Sequence, residues 1–101
     1  MYLLENYHYC KEGEKVYLIS RPRPKVRKFA WEMEKQLRAN EYKGGWKNCD
    51  SDFLLNELKK NYNKVWMLCA GDPEVLRRCA NIANFAMMIA DNWGGLTEEG
   101  E

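Results

Sequence analysis

The chain has 101 residues, of which 46% are hydrophobic and 31% charged, a composition typical of one soluble globular domain. Sixteen lysines and arginines nearly balance 15 aspartates and glutamates, so the net charge of +1 gives no support for a nucleic-acid-binding protein. There is no signal peptide and no apolar run of bilayer length, so we expect a cytoplasmic protein that does not bind a membrane.

The first predicted element is a small β-hairpin over residues 6–20. The segment NYHYCKEGEKVYLIS places aromatic and β-branched residues on both sides of a Gly-containing KEGE turn. Because a lone hairpin is only marginally stable, we expect it to lie on a helix or to pair with a second copy.

A basic connector, RPRPKVRK, follows at residues 21–28 and contains five cations and no acid. Its prolines favour extended backbone and prevent a helix from starting before about Lys25. A solvated linker is the simpler interpretation of such a segment, and contact with phosphate groups is the alternative.

Three helices are predicted after the connector. The first spans residues 25–40, where apolar positions recur at helical spacing, and it ends before the glycines of KGGW. The second begins at a capping residue, Asp50 or Ser51, and runs to about Cys69.

The third predicted helix follows the segment AGDPE. In that segment Gly71 suits the C′ position of the second helix, Asp72 suits a cap, and Pro73 suits the first turn of the next helix. The third helix then continues to about Asn92 and stops at WGG.

The predicted fold class is all-α, a bundle of three main helices per chain with a small N-terminal β-hairpin. We divide the chain into the hairpin and connector (1–24), a helical domain (25–93) and a fraying acidic tail (94–101). Residues 79–90 are almost all apolar or small, and two helices of one chain cannot cover them all. We therefore predict a homo-oligomer, a dimer or tetramer, that completes the bundle.

The four cysteines, Cys10, Cys49, Cys69 and Cys79, do not form a C-x-x-C pair, and the chain has one histidine. This spacing argues against a zinc site. We expect reduced thiols and no metal or other cofactor.

Polar residues interrupt the apolar third helix. Arg77 and Arg78 lead into it, and Asn81 and Asn84 lie within it. Since a buried amide without a partner costs about 1–3 kcal/mol, these residues must meet a partner helix or a bound molecule.

The helical region carries five motifs: FAWEMEKQLRAN, KGGW, LLNEL, GDPE and ANFAMMIAD. Together, from about Val26 to Trp93, they resemble the MazG-like family of all-α nucleotide pyrophosphohydrolases, in the short form found in phages and prokaryotes. The family has a Glu-x-x-Glu pair on one helix and a Glu-x-x-Asp pair on another, and these carboxylates bind Mg²⁺, which positions a triphosphate and activates water.

In this chain the family's metal-ligand positions fall on residues that are not carboxylates: Asn61, Lys64, Arg78 and Asn81. The resemblance therefore implies no metal site and no catalytic residues. Lys64 and Arg78 repel Mg²⁺, but they suit phosphate oxygens, with charge-assisted bonds worth about 1.5–3 kcal/mol each. We expect these four residues and Asn84 to bind a phosphorylated nucleotide. In the alternative, Arg78 points to solvent and the asparagines bond each other across an oligomer interface.

The motif KGGW adds two candidate ligand-binding residues. Lys43 offers a charge, Trp46 offers a stacking surface, and the glycines allow close approach of a ligand. The alternative is a plain turn with Trp46 as a lid over the core. Because the motif belongs to the resemblance, we assign Lys43 and Trp46 to the site.

Three functions are compatible with this sequence. The first is a catalytically inactive MazG-like protein that sequesters a phosphorylated nucleotide or nucleotide-derived signal, as a viral counter-defence protein in a host cytoplasm would. The second is an inhibitor that uses the fold as a scaffold to bind a host protein through the hairpin and connector. The third is an active nucleoside triphosphate pyrophosphohydrolase that uses Glu57 and Glu74, one turn earlier on each helix, although such a displaced pair makes a poor magnesium site.

Overall fold

The structure is a computed structural model that describes residues 7–12, 15–20 and 22–96. Some predictions concern residues outside this set: Gly13 and Glu14 of the KEGE turn, Arg21 of the connector, and residues 97–101 of the acidic tail. The statements below refer to the described residues.

Two antiparallel strands precede the helices. Strand β1 (Tyr7–Glu12) pairs with strand β2 (Lys15–Ser20), residue for residue along their full length. Both strands lie within residues 6–20, the segment for which the sequence predicts a hairpin.

Three α-helices form the main body, as the all-α prediction requires. They are α1 (Pro24–Ala39), α2 (Ser51–Trp66) and α3 (Pro73–Trp93), and a short 3-10 helix (Glu41–Lys43) follows α1. Both α1 and α2 pack on α3, which is therefore the central helix. No helix in the described part of the chain, α3 included, has both the length and the apolarity needed to span a membrane.

The starts of α2 and α3 follow from their capping residues. The Asp50 carboxylate accepts a hydrogen bond from the Phe53 amide at 2.8 Å, and the Asp72 carboxylate accepts one from the Glu74 amide at 2.8 Å. Each bond satisfies an amide that has no partner within its own helix. Of the two caps proposed for α2, Asp50 is the one used, and the cap predicted for α3 is confirmed.

The predicted end of α2 was wrong. The helix ends at Trp66, about one turn before Cys69, because the Met67 amide reaches back only three residues for a carbonyl and tightens the last turn. Gly71 is consequently not at the C′ position of α2. It has a φ of 88° and lies in a turn closed by the Asp72 amide and the Cys69 carbonyl at 3.1 Å, where a positive φ favours glycine.

The interior of the helical body is small and partly polar. Among residues 22–96, Leu54 and Ala80 are the only buried apolar residues, and Asn61 and Asn84 are buried beside them. Most of the apolar residues of α3 are half-buried, and Ala90 is exposed. The helices of one chain thus leave much of α3 incompletely covered, which is the condition from which we predicted a homo-oligomer.

Candidate functional site

A cavity of about 780 Å³ is lined by α1, the loop after α1, α2 and α3. Its volume is within the range of small-molecule sites, roughly 300–1,000 Å³. The cavity brings together six of the seven ligand-binding residues predicted from sequence: Lys43, Trp46, Asn61, Arg78, Asn81 and Asn84. The seventh, Lys64, is exposed on α2 and does not line the cavity.

Asn61 joins α2 and α3, the two helices on which the resemblance places metal-ligand positions. Its Oδ1 accepts hydrogen bonds from Arg78 Nη1 at 3.2 Å and from Asn81 Nδ2 at 3.4 Å. Its Nδ2 donates to the Glu57 carbonyl at 2.9 Å, one turn earlier on α2. With both ends of its amide engaged, Asn61 holds Arg78 and Asn81 at the cavity wall.

Arg78 does not point freely to solvent. Its side chain is 19% exposed, its Nη1 donates to Asn61, and its Nε lies 3.5 Å from Glu74 Oε2. The alternative in which Arg78 is solvated is therefore wrong, and the Asn81–Asn61 bond lies within one chain. A guanidinium has five N–H donors, so Arg78 keeps donors that can face a ligand.

Glu74 is a shared counter-ion at the start of α3. Arg77 donates to it from both Nε (2.8 Å) and Nη2 (2.6 Å), and Arg78 lies beside it. The hydrogen bond from Arg77 lowers the pKa of Glu74, and the charges of Arg77, Arg78 and Lys64 act in the same direction. Lys64 therefore contributes to the electrostatics near Glu74, although it does not line the cavity.

Asn84 is 4% exposed and lies on the cavity wall. Its Nδ2 donates to the Met33 carbonyl at 3.0 Å and so ties α3 to α1. Its Oδ1 is buried and has no hydrogen-bond partner among the described residues. The amide predicted to need a partner thus has one for its donor end and none for its acceptor end.

Trp46 is fixed against the C-terminal end of α3. Its indole Nε1 donates to Asp91 Oδ2 at 2.9 Å, and Lys47 Nζ lies 2.7 Å from the same oxygen. Asn92 Nδ2 donates to the Trp46 carbonyl at 3.0 Å and lies 3.4 Å from the Cys49 carbonyl. The hydrogen bonds from Lys47 and then Trp46 lower the pKa of Asp91.

Sequence reasoning missed Asp91 and Asn92. The available signal was a polar pair at the end of an otherwise apolar helix, which needs partners when it packs against a loop. Lys47, which had no assigned role, is part of the same arrangement because it pairs with Asp91.

The remaining part of KGGW is open to the cavity. Lys43 is exposed and lines the cavity, with Nζ 5.8 Å from the centre of the Tyr42 ring. Gly44 and Gly45 also line it, and a Cβ added at either position would meet no atom within 4 Å. Gly44 needs its φ of 89° to end the 3-10 helix, whereas Gly45 has no such requirement.

The carboxylates near the cavity do not form a cluster. Glu57 lines the cavity but pairs with Lys60 at 2.8 Å, and Glu74 does not line it. In the part of the chain that the structure describes, no group of three or more His, Cys, Asp or Glu side chains could hold a metal ion. Cys49, Cys69 and Cys79 are free thiols.

The cavity has a charged end and an apolar end. Arg78 and its neighbours form the charged end, opposite Asn61. A short loop joins α2 to α3, so the helices run antiparallel and Phe53 of α2 lies toward Phe85 and Met88 of α3. Asn61 and Phe53 are eight residues apart on α2, about 12 Å along the helix axis. This arrangement suits an elongated ligand with one anionic end and one flat apolar end.

No protein-family model, curated protein or solved structure matches this chain. The likeness to the MazG-like family is therefore a hypothesis that rests on the motifs quoted above.

Proposed function

We propose that this chain is a catalytically inactive MazG-like protein of the cytoplasm that binds and sequesters a phosphorylated nucleotide or a nucleotide-derived signal. The observation that carries the proposal is the position of Arg78. Its guanidinium is held at the cavity wall by Asn61 and Glu74, at a position where the resemblance expects a metal-binding carboxylate.

Binding without hydrolysis follows from the chemistry of these groups. Arg78 and the amide of Asn81 offer N–H donors to phosphate oxygens, and such charge-assisted bonds need no metal ion. Trp46, held in one orientation by Asp91, offers a rigid aromatic wall for a base. Nothing in this arrangement generates a metal-bound hydroxide, so we expect the ligand to be kept intact.

The pyrophosphohydrolase alternative finds less support. Glu57 faces the cavity, but Glu74 is engaged by two arginines and lies outside the lining. For hydrolysis, both carboxylates would have to coordinate a magnesium ion that also contacts the phosphate chain of the nucleotide.

A separate observation favours protein binding, but through α2 and not through the hairpin and connector for which it was predicted. Leu55, Tyr62 and Trp66 follow one face of α2 at helical spacing, and each is at least half exposed. An apolar stripe of this kind suits a protein surface, either a host protein or a second copy of this chain in a homo-oligomer.

The test is release of a bound small molecule. We expect the purified chain, denatured after extensive washing, to release an ultraviolet-absorbing compound that mass spectrometry identifies as a phosphorylated nucleotide. In a thermal-shift assay the same compound should raise the melting temperature, and excess chelator should not reverse the shift.

Arg78→Glu should abolish both the release and the shift, because it sets a carboxylate against the phosphate. Arg27→Glu is the control for the change of charge, since Arg27 is exposed on α1 and does not line the cavity. If no compound is released and no nucleotide shifts the melting temperature, the sequestration proposal fails and the protein-binding alternative takes its place.

A further inference from the structure

We infer that the cavity accepts a nucleotide with a single phosphate group, a nucleoside monophosphate in linear or cyclic form, and discriminates against diphosphates and triphosphates. This inference rests on the proposed function and narrows its ligand to one chemical class. Three observations carry it: the small positive charge available, the carboxylates on the wall, and the spacing between the two ends of the cavity.

The charged end has little uncompensated positive charge. Arg77 and Arg78 share one counter-ion, Glu74, so the three groups together have a net charge of +1. Arg77 is the more fully neutralised, because both oxygens of Glu74 accept its bonds at 2.8 and 2.6 Å. Arg78 lies 3.5 Å from that carboxylate and is the guanidinium better able to take a phosphate.

Positive and negative charges are also equal in number over the whole lining of the cavity. It contains three acids, Glu34, Glu41 and Glu57, and three bases, Lys43, Arg77 and Arg78. A triphosphate would bring further negative charges next to carboxylates without additional cations to meet them. Lys64 is exposed to solvent and lies outside the lining, so it offers no direct contact to a ligand in the cavity, although its charge acts on Glu74.

The separation between Arg78 and the aromatic residue Phe85 also favours one phosphate. Arg78 and Phe85 are seven residues apart on α3, about 10 Å along the helix axis. A nucleoside with one phosphate covers such a distance, with its base between Phe85 and Trp46 and its phosphate at Arg78. Additional phosphates would extend past Arg78 toward Arg77, whose charge Glu74 already neutralises.

The experiment is a titration series without metal ions. The wild-type chain is titrated in EDTA with adenosine, AMP, 3′,5′-cyclic AMP, ADP and ATP, and with the guanine, cytosine and uracil equivalents. For the base that binds best, we expect the linear or cyclic monophosphate to bind at least about tenfold more tightly than the triphosphate, and more tightly than the nucleoside. Direct comparison of the affinities of the linear and the cyclic monophosphate shows which of the two forms the site prefers.

The titrations distinguish failure of the monophosphate preference from failure of nucleotide binding altogether. A triphosphate that binds as tightly as the monophosphate, or a nucleoside that binds equally well, overturns the inference and leaves nucleotide or nucleoside binding standing. Absence of binding by every compound in the series overturns the inference, and together with the absence of a released compound it overturns the proposed function itself.

Two glutamine variants test whether carboxylates in the lining cause the preference for a monophosphate. Glu57→Gln removes one carboxylate from the wall and should narrow the gap between monophosphate and triphosphate affinity. The control is Glu32→Gln, because Glu32 forms the same i,i+3 pair with Lys35 as Glu57 forms with Lys60, but it does not line the cavity. An unchanged gap in Glu57→Gln, or an equal change in both variants, contradicts the inference.

Discussion

Asn61 is the residue whose loss should most weaken the contact between α2 and α3. It is 7% exposed, and its Oδ1 accepts bonds from both Arg78 and Asn81. Asn61→Ala removes that shared acceptor and leaves two donors of α3 facing a small apolar side chain. We therefore expect Asn61→Ala to lower the free energy of unfolding more than the replacement of an exposed polar residue does.

The size of the effect can be worked from the two bonds. The bond from Arg78, at 3.2 Å, involves a charged donor, and such bonds are worth about 1.5–3 kcal/mol. The bond from Asn81 is neutral and longer, at 3.4 Å, and contributes toward the low end of the neutral range, about 0.5 kcal/mol. Together they predict a loss of about 2–3.5 kcal/mol, which lowers the melting temperature of a domain of this size by about 10–25 °C.

The measurement is thermal unfolding followed by circular dichroism at pH 7, with all variants at one protein concentration because self-association would raise stability. Asn63→Ala is the control, since Asn63 is exposed on the same helix and makes no side-chain hydrogen bond within the described residues. A double-mutant cycle of Asn61→Ala with Arg78→Ala should give a coupling of at least about 1 kcal/mol. A loss in Asn61→Ala no greater than in Asn63→Ala would refute the structural role of the shared acceptor.

Three further predictions concern activity, assembly and pH. With Mg²⁺ or Mn²⁺ and any common nucleoside triphosphate, we expect pyrophosphate release no higher than a buffer blank, and release that Glu57→Gln abolishes would show that the displaced carboxylates act. Light scattering at micromolar concentration should give a mass near twice or four times the 12.0 kDa of one chain, and a value of 12.0 kDa would rule out the homo-oligomer. Because the pKa of Asp91 is lowered, Asp91 stabilises the folded state above the ordinary aspartate pKa, and this contribution is lost as the pH falls through the lower folded value. The stability difference between wild type and Asp91→Asn should therefore shrink below about pH 4 in acid titrations of unfolding, and a difference constant with pH would contradict it.

Local signals in the sequence were sufficient to locate the helices. Asp50 and Asp72 mark helix starts because a short carboxylate side chain can reach an amide of the first turn, an interaction that depends on neighbouring residues alone. The end of α2 was predicted less well. Whether the chain leaves the helix at Trp66 or near Cys69 depends on how the turn at Gly71 directs α3 back along α2, and this is a tertiary requirement.

The site was predicted in part, and its error has a geometric cause. Leu54, Glu57 and Asn61 line the cavity and follow the i, i+3, i+7 pattern of one helix face. Lys64 follows Glu57 by seven residues and so lies within about 20° of it around α2. The α2 lining ends at Asn61, however, about one turn before Lys64, which is exposed. A spacing of three residues predicts the correct face of α2 for Lys64, but how far the cavity extends along that helix depends on how α2 packs against the other helices, which a sequence interval does not encode.

The polar interior of this chain links ligand binding to folding. A body whose buried apolar residues, among those described, are Leu54 and Ala80 gains little stability from its own core. Asn61 and Asn84 occupy interior volume that apolar side chains would otherwise fill, and the Oδ1 of Asn84 has no partner among the described residues. Anything that binds only the folded chain adds directly to its free energy of unfolding. The binding partner could be a nucleotide in the cavity or a second copy on the exposed face of α2 that carries Leu55, Tyr62 and Trp66. We therefore expect an unusually steep dependence of the melting temperature on both ligand and protein concentration. The two dependences are separable, since Arg78→Glu should remove the first and leave the second.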